Sequence, residues 1–422
     1  MSTNFAIGHE DSLLGDYMTT RQASLALCAN LEVEDFGLQA MPDVSPPKWH
    51  LAHTSWFFET FILKPFVKGY REFHPGFEYL FNSYYNTVGA QYPRPQRGLL
   101  SRPTLKEVFA YRDHVDHEMV RLLQERNGNP WEVIRQRCEL GLHHEQQHQE
   151  LICTDIKYSF SFNPLYPSFG TDWQAPVTSE SQGMNFLELD AVEATIGYQE
   201  AGFHFDNETP AHTHHQTGFR FADRLVTNAE YLEFMQDGGY VAPVLWLADG
   251  WAWCQSTHAR HPRYWIRQDD EWYEYTLQGL CPLDPNLPVS HVNYYEADAF
   301  SRWSNRRLPS EQEWELVCRS FGLTPKYQPV LLHPQAADRN ETVAQMFGHV
   351  WQWTRSAYSP YPGYRPARDA IGEYNGKFMC NQMVLRGSSC VTPPGHARPS
   401  YRNFFYPKDQ WQFTGIRLAD DL

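Results

Sequence analysis

Two textures divide this chain. Up to about residue 160 apolar residues recur at helical spacing, and past about residue 190 they fall into short aromatic and β-branched segments cut by Gly, Pro and Asn. The helical part contains four long runs: "DSLLGDYMTTRQASLALCANL", "SPPKWHLAHTSWFFETFIL", "TLKEVFAYRDHVDHEMVRLLQER" and "NPWEVIRQRCELGLHHEQQHQELICTDIKYSF". The second opens with Ser and prolines, which suit a helix start. In the third, Thr104 and Glu107 have the spacing of a capping box. Four such helices predict a bundle. Between the second and third lies "HPGFEYLFNSYYNTVGAQYPRPQRGLLSRP", a long loop of the kind that often carries function.

The Pro/Ser/Gly-rich stretch "SFNPLYPSFGTDWQAPVTSESQGMNF" reads as a linker, giving a helical domain over 1–180 and a second domain over 181–422. In the latter only "TNAEYLEFMQDGG" and "YYEADAFSRWSNRRLPSEQEWELVCRS" read as helical, so a loop-rich α+β fold is expected. The fold class is therefore α plus α+β.

Acidic residues outnumber basic ones, 50 to 35, and no basic cluster stands out. A nucleic-acid partner is not expected. No apolar run is long enough for a bilayer, and the N-terminus lacks the basic and apolar regions of a secretory signal. The eight cysteines are scattered without a C-x-x-C pair. This usage suits reduced thiols and a cytoplasmic location.

The stretch "GLHHEQQHQE" carries the chemistry. His144 and His148 are four residues apart, which on a helix stacks them on one face. Two imidazoles make a weak metal site, so a third should come from another bundle helix. His53 and His50, in "WHLAHTSWFFE", compete for that place. His144-Glu145-Gln146-Gln147-His148 also matches the H-E-x-x-H of zinc hydrolases, but no downstream ligand motif follows it. Three neutral imidazoles with open positions suit non-heme Fe(II) and dioxygen, with Glu150 available to hold a ring nitrogen from behind.

Taken together, the chain resembles the ergothioneine-biosynthesis sulfoxide synthases. The resemblance rests on "SPPKWHLAHTSWFFETF", "YLFNSYYNTVGAQYPRPQRGLLSRP" and "HEQQHQELICTDIKY" in the first part. In the second it rests on "FDNETPAH", "RLVTNAEYLEF", "RLPSEQEWE", "FGHVWQWTRSAY", "YNGKFMCNQMVLRGSSC" and "RPSYRNFFYP". It implies a DinB-like four-helix bundle followed by a formylglycine-generating-enzyme-like (C-type-lectin-like) α+β domain that completes the substrate pocket. It also implies iron ligands at His53, His144 and His148, so His53 is chosen over His50.

The implied reaction consumes O2 and joins hercynine, at its imidazole C2, to cysteine as a sulfoxide. Asn403, Phe404, Phe405 and Gln147 are then expected at the hercynine end, where aromatic faces suit a trimethylammonium group. Arg94 and Arg97 are expected to hold the carboxylate of the sulfur donor. Tyr84 and Tyr85 are expected to supply a proton or hydrogen atom, since a phenol keeps its proton at neutral pH. The "YY" loop places the chain with the branch whose donor is cysteine rather than γ-glutamylcysteine.

The chain departs from the family pattern at His349 and Gln352, where Asn and Glu are more usual, and at Ser388, which puts a C-terminal calcium in doubt. Cys380 and Cys390 read as buried structural thiols rather than a copper site. The rivals are a selenoneine synthase using a selenosugar, an ovothiol-type synthase acting on histidine, a zinc hydrolase, and a non-catalytic binding module.

Overall fold

The computed structural model describes residues 9–125, 130–170, 183–326, 330–338, 340–366 and 370–422. The chain forms two compact units, Met1–Asn163 and Pro164–Leu422. The expected border at 180/181, with the middle of the linker, lies outside the described residues. Residues just ahead of it already belong with the second unit: the Phe169 N–H donates to the Leu277 carbonyl, and the Tyr275 hydroxyl to that of Pro167.

The first unit contains the four long helices: His9–Leu27, Pro47–Phe58, Leu105–Glu125 and Trp131–Phe160. Pro47 sits at the first position of the second helix. Thr104 and Glu107 make the expected capping box: the Thr104 hydroxyl accepts from the Glu107 N–H, and the Glu107 carboxylate accepts from the Thr104 N–H. The second helix is buried on nearly every side, as an all-round apolar helix must be. It runs on through a π-helical turn, Glu59–Leu63, which shifts the helix face and which the helical spacing does not reveal. Gly141 lets the fourth helix come close to the second, because a Cβ there would lie 2.5 Å from Phe58 Cε1.

A buried ionic cluster locks these helices together. Glu145, on the fourth helix, is fully buried and accepts from Arg21 at 2.9 Å, Arg112 at 2.8 Å and the Ser24 hydroxyl at 2.6 Å. Arg21 also reaches Asp116 at 2.6 Å and Ser55 at 2.8 Å, and Arg112 reaches Thr54 at 3.1 Å. All four helices therefore contribute. A buried carboxylate is tolerable only when its lone pairs are filled in this way.

In the second unit three helices carry side-chain capping boxes at Thr227/Glu230, Asn293/Glu296 and Ser310/Glu313. The long second helical passage is thus two helices, Tyr294–Trp303 and Glu311–Ser320. A further helix, Ala248–Thr257, lacks a side-chain cap and gave no start signal. The largest sheet orders its strands Asn403–Phe405, Met383–Gly387, Trp351–Ala357 and Thr414–Gly415. Buried ion pairs recur here, Arg386 with Glu315 and Arg402 with Glu311. Gly387 has φ +96°, and a Cβ would meet the Met346 carbonyl at 2.6 Å.

Gln352 is fully buried; it accepts from the Trp314 indole at 2.9 Å and from Arg417 at 2.7 Å, and donates to the Met346 carbonyl at 2.9 Å. Protein groups thus occupy both ends of its amide. Cys390 is buried, but Cys380 is exposed. The reading of Cys380 as a buried thiol is therefore corrected: it follows the short turn Gly376–Phe378 and lines a surface groove with Met379 and Tyr406. No helix among the described residues is long and apolar enough to cross a membrane.

Burial raises the cost of ionising Glu145, yet Arg112, Arg21 and Ser24 outweigh it and hold the carboxyl at about 2, below the ordinary 4.5. The folded value is the lower one, so this stabilisation is complete above about pH 5 and is lost as pH falls toward about 2. Glu145→Ala should destabilise the first unit by about 3–5 kcal/mol at neutral pH, since it leaves two buried guanidiniums unpaired. Chemical denaturation of wild type and Glu145→Ala at pH 7 and pH 3 should show that difference shrinking with acid.

Candidate metal centre

The site starts from spacing on two helices. On the second helix Trp49, His53 and Trp56 follow at i, i+4 and i+7, which puts them on one face. The rings stack: Trp49 on His53 at 4.5 Å and 12°, and His53 on Trp56 at 5.4 Å and 14°. His53 is thereby clamped between two indoles. On the fourth helix His144 and His148 present one face toward it. His53 Nε2 lies 3.2 Å from His144 Nε2, and the ring centroids of His144 and His148 are 4.6 Å apart. One ligand atom from each of the three residues falls within 4.8 Å of the others, and all three are buried.

Hydrogen bonds settle which nitrogens are available. His53 Nδ1 donates to the Phe81 carbonyl, leaving the Nε2 lone pair free. His148 Nδ1 pairs with His50 Nδ1 at 2.8 Å, leaving its Nε2. His144 Nδ1 is buried without a hydrogen-bond partner, and its Nε2 is the atom directed at His53. Two imidazole nitrogens at such a distance repel unless a proton or cation lies between their lone pairs.

Burial also pushes the pKa values of all three rings down: His144 to about 4, and His53 and His148 well below their ordinary value, with neighbouring histidines adding to the effect. They are neutral at physiological pH, the form that ligates. The donor set fits a divalent transition metal with open positions.

Of the competing histidines, His53 faces His144 and His148, while His50 stands behind His148. Glu150 is half-buried on the fourth helix, and the ring nitrogens behind the site are held by Phe81 and His50 instead. Glu145, the residue a zinc hydrolase would use as its base, is spent on Arg21, Arg112 and Ser24.

The loop between the second and third helices closes over this face. Arg97 lies in the 3₁₀ turn Arg94–Leu99, buried, with its guanidinium carbon 3.3 Å from the Trp49 ring centroid. It donates to the hydroxyls of Ser45 at 2.9 Å and Ser83 at 3.1 Å, and its Nε has no partner. Burial, with Arg94 adding to it, holds this guanidinium below its usual range. Arg97 has no ion pair with a carboxylate among the described residues.

Arg94 donates to the Tyr84 hydroxyl at 3.0 Å and to the Asp43 carbonyl. Tyr85 is buried, its ring 5.7 Å from Trp56 and 4.9 Å from Phe61. The first unit therefore brings His53, His144, His148, Arg97, Arg94, Tyr84 and Tyr85 into one linked set. Gln147 is half-buried on the fourth helix.

Asn403, Phe404 and Phe405 form an edge strand of the second unit. Phe404 stacks on Tyr358 at 4.1 Å and faces Phe378 at 6.0 Å. Sequence reasoning missed the two tryptophans flanking His53, although W-x-x-x-H-x-x-W is legible in "WHLAHTSW".

Residues 181–341 and 324–422 match the family described as sulfatase-modifying factor enzyme 1-like domain, more than half of the chain. The chain belongs to that family. Residues 17–152, ahead of it, match the DinB superfamily. A protein named hercynine oxygenase from Mycolicibacterium thermoresistibile is 27% identical over 453 residues, covering 100% of this chain and 97% of that protein. Its namesake from Mycolicibacterium smegmatis is 34% identical over 244 residues, 51% of this chain and 56% of that protein. The chain thus spans little more than half the length of the latter. Ergothioneine biosynthesis protein 1 of Schizosaccharomyces pombe is 26% identical over 282 residues, 63% of this chain and 32% of that protein. This pair of domains and these relatives fit the sulfoxide synthase family to which the motifs pointed.

Changing His53, His144 or His148 singly to alanine should abolish stoichiometric binding of Fe(II) or Co(II) while helical content is kept. Metal titration beside far-ultraviolet circular dichroism checks both halves of that expectation.

Proposed function

We propose that the protein is a non-heme Fe(II)-dependent sulfoxide synthase. It would join hercynine, at its imidazole C2, to L-cysteine with O2 as cosubstrate, giving hercynylcysteine sulfoxide. The observation that carries this reading is the cluster of three buried, neutral imidazoles beside a buried arginine with no ion-paired carboxylate among the described residues. The names of the relatives point the same way. Iron held by His53, His144 and His148 would supply dioxygen activation.

The other roles belong to the chain's own residues. Arg97, with no ion-paired carboxylate among the described residues, suits a bound carboxylate, because a charge-assisted hydrogen bond in a dry site is strong and directional. Arg94 holds the Tyr84 hydroxyl beside it, so a carboxylate anchor and a proton-bearing phenol share one loop. Tyr85 reaches the same face through Trp56. We assign proton or hydrogen-atom delivery to this tyrosine pair.

Gln147 is proposed for the hercynine side chain. Asn403, Phe404 and Phe405 are proposed for the same substrate, since open aromatic faces bind quaternary ammonium groups. Holding both partners in place replaces a bimolecular encounter by an oriented one.

Anaerobic loading with Fe(II), followed by hercynine and cysteine under air, should consume oxygen and yield an adduct of the sulfoxide's mass. Oxygen uptake without that adduct would exclude cysteine as donor and bring in γ-glutamylcysteine or a selenosugar. Arg97→Leu should lower kcat/KM for the thiol by about ten- to a hundredfold, the worth of a charged hydrogen bond of about 1.5–3 kcal/mol. The check is steady-state kinetics in the thiol at saturating hercynine.

A further inference from the structure

His148 is braced from behind by two residues that the proposed reaction does not use. Its Nδ1 lies 2.8 Å from His50 Nδ1, and His50 Nε2 lies 3.1 Å from Asp155 Oδ2. The same carboxylate oxygen accepts the Ser45 N–H at 2.8 Å. Asp155 stands seven residues beyond His148, two turns along the same helix face. The exposures of His50, His148 and Asp155 are 2%, 9% and 3%, so water competes little for these bonds.

The positions of the hydrogens follow by elimination. An ionised carboxylate only accepts, so His50 Nε2 carries the hydrogen. A neutral imidazole has one N–H, which makes His50 Nδ1 an acceptor. His148 Nδ1 must then donate to it, and His148 Nε2 is left with the lone pair. His50 has no nitrogen to spare for a metal, since one faces Asp155 and the other faces His148.

We propose that Asp155 and His50 are positioning residues that impose on His148 the tautomer a metal requires. The inference rests on the three-histidine metal site proposed above. The usual arrangement is one carboxylate or carbonyl directly behind a ligating histidine. Here the carboxylate acts through an intervening imidazole, and Phe81 serves His53 directly.

The relay ends on a carboxylate whose charge a substitution can remove. The oxygen that faces His50 Nε2 also accepts the Ser45 N–H, so an asparagine at 155 keeps its amide oxygen there and still accepts from His50. It holds the relay through a weaker, uncharged hydrogen bond. The negative charge behind the site is lost, which disfavours the ferric over the ferrous state.

The test compares Asp155→Asn, Asp155→Glu, His50→Gln, His50→Leu and the reference variant His148→Ala. The readouts are Co(II) and Fe(II) dissociation constants, the visible Co(II) spectrum, the Fe(III)/Fe(II) potential and the melting of the metal-free proteins. Asp155→Asn and His50→Leu should weaken metal binding by about ten- to a hundredfold, and Asp155→Asn should raise the potential. Asp155→Glu, which keeps the carboxylate, and His50→Gln, which keeps an acceptor for His148, should recover part of the affinity.

Should Asp155→Asn fail to fold, the two His50 variants decide: equal affinity for both overturns the relay. Wild-type affinity and spectrum in folded Asp155→Asn and His50→Leu overturn it too, provided His148→Ala has lost the metal. Retention of the metal by His148→Ala sinks the three-histidine site and the relay with it.

Discussion

The first unit turns on one buried carboxylate. Glu145 sits among Arg21, Arg112 and Ser24, and each of those partners also reaches other groups of the bundle. A helix can roll about its axis at little cost when only apolar contacts hold it. It cannot do so when a fully buried charge must keep three donors. His144 immediately precedes Glu145 in the chain and His148 stands about one turn after it, so the rotation fixed by Glu145 also fixes the two imidazoles. The same residue that makes the sequence read as a zinc-hydrolase motif is thus a structural pin. The close approach permitted at Gly141 lets the pinned face meet the second helix.

Much of this could be read from residue order, because the decisive signals are local. Pro47, the Thr104/Glu107 box and the apolar period mark helices whose ends fall close to those expected. The i, i+4 spacing of His144 and His148 implies a shared face whatever the fold. The resemblance singled out His53 over His50. What stayed hidden depends on partners remote in sequence. Glu145 completed an H-E-x-x-H pattern, and its structural role was hidden because Arg21 and Arg112 lie 124 and 33 residues away from it. Glu150 looked like the brace for a ligand, while Asp155 has that place through His50. The π-helical turn at 59–63 carries no period of its own, and the helix Ala248–Thr257 begins without a capping side chain.

Both units offset buried charge mainly by pairing it. In the second, Glu311, Glu315 and Glu208 each meet an arginine in a buried pair, and Gln352 supplies neutral partners to Arg417. These contacts join helix to sheet and strand to loop in a unit with short strands and much irregular chain. Among the described residues of the first unit, the buried Arg97 has no such ion pair. Arg97 lies flat on Trp49 between two serine hydroxyls, and its Nε is unbonded.

That arginine has a consequence for folding. A buried cation without an ion-paired carboxylate costs stability, and Arg97 has none among the described residues. A carboxylate bound there relieves the cost, and by mass action any such ligand raises the melting temperature in proportion to how well it fits. On the proposed reading, the fold gives up stability where it would take up substrate. Replacing Arg97 by an apolar residue of similar size would therefore give a protein that withstands heat better and recognises less, the trade between stability and activity that strained sites impose.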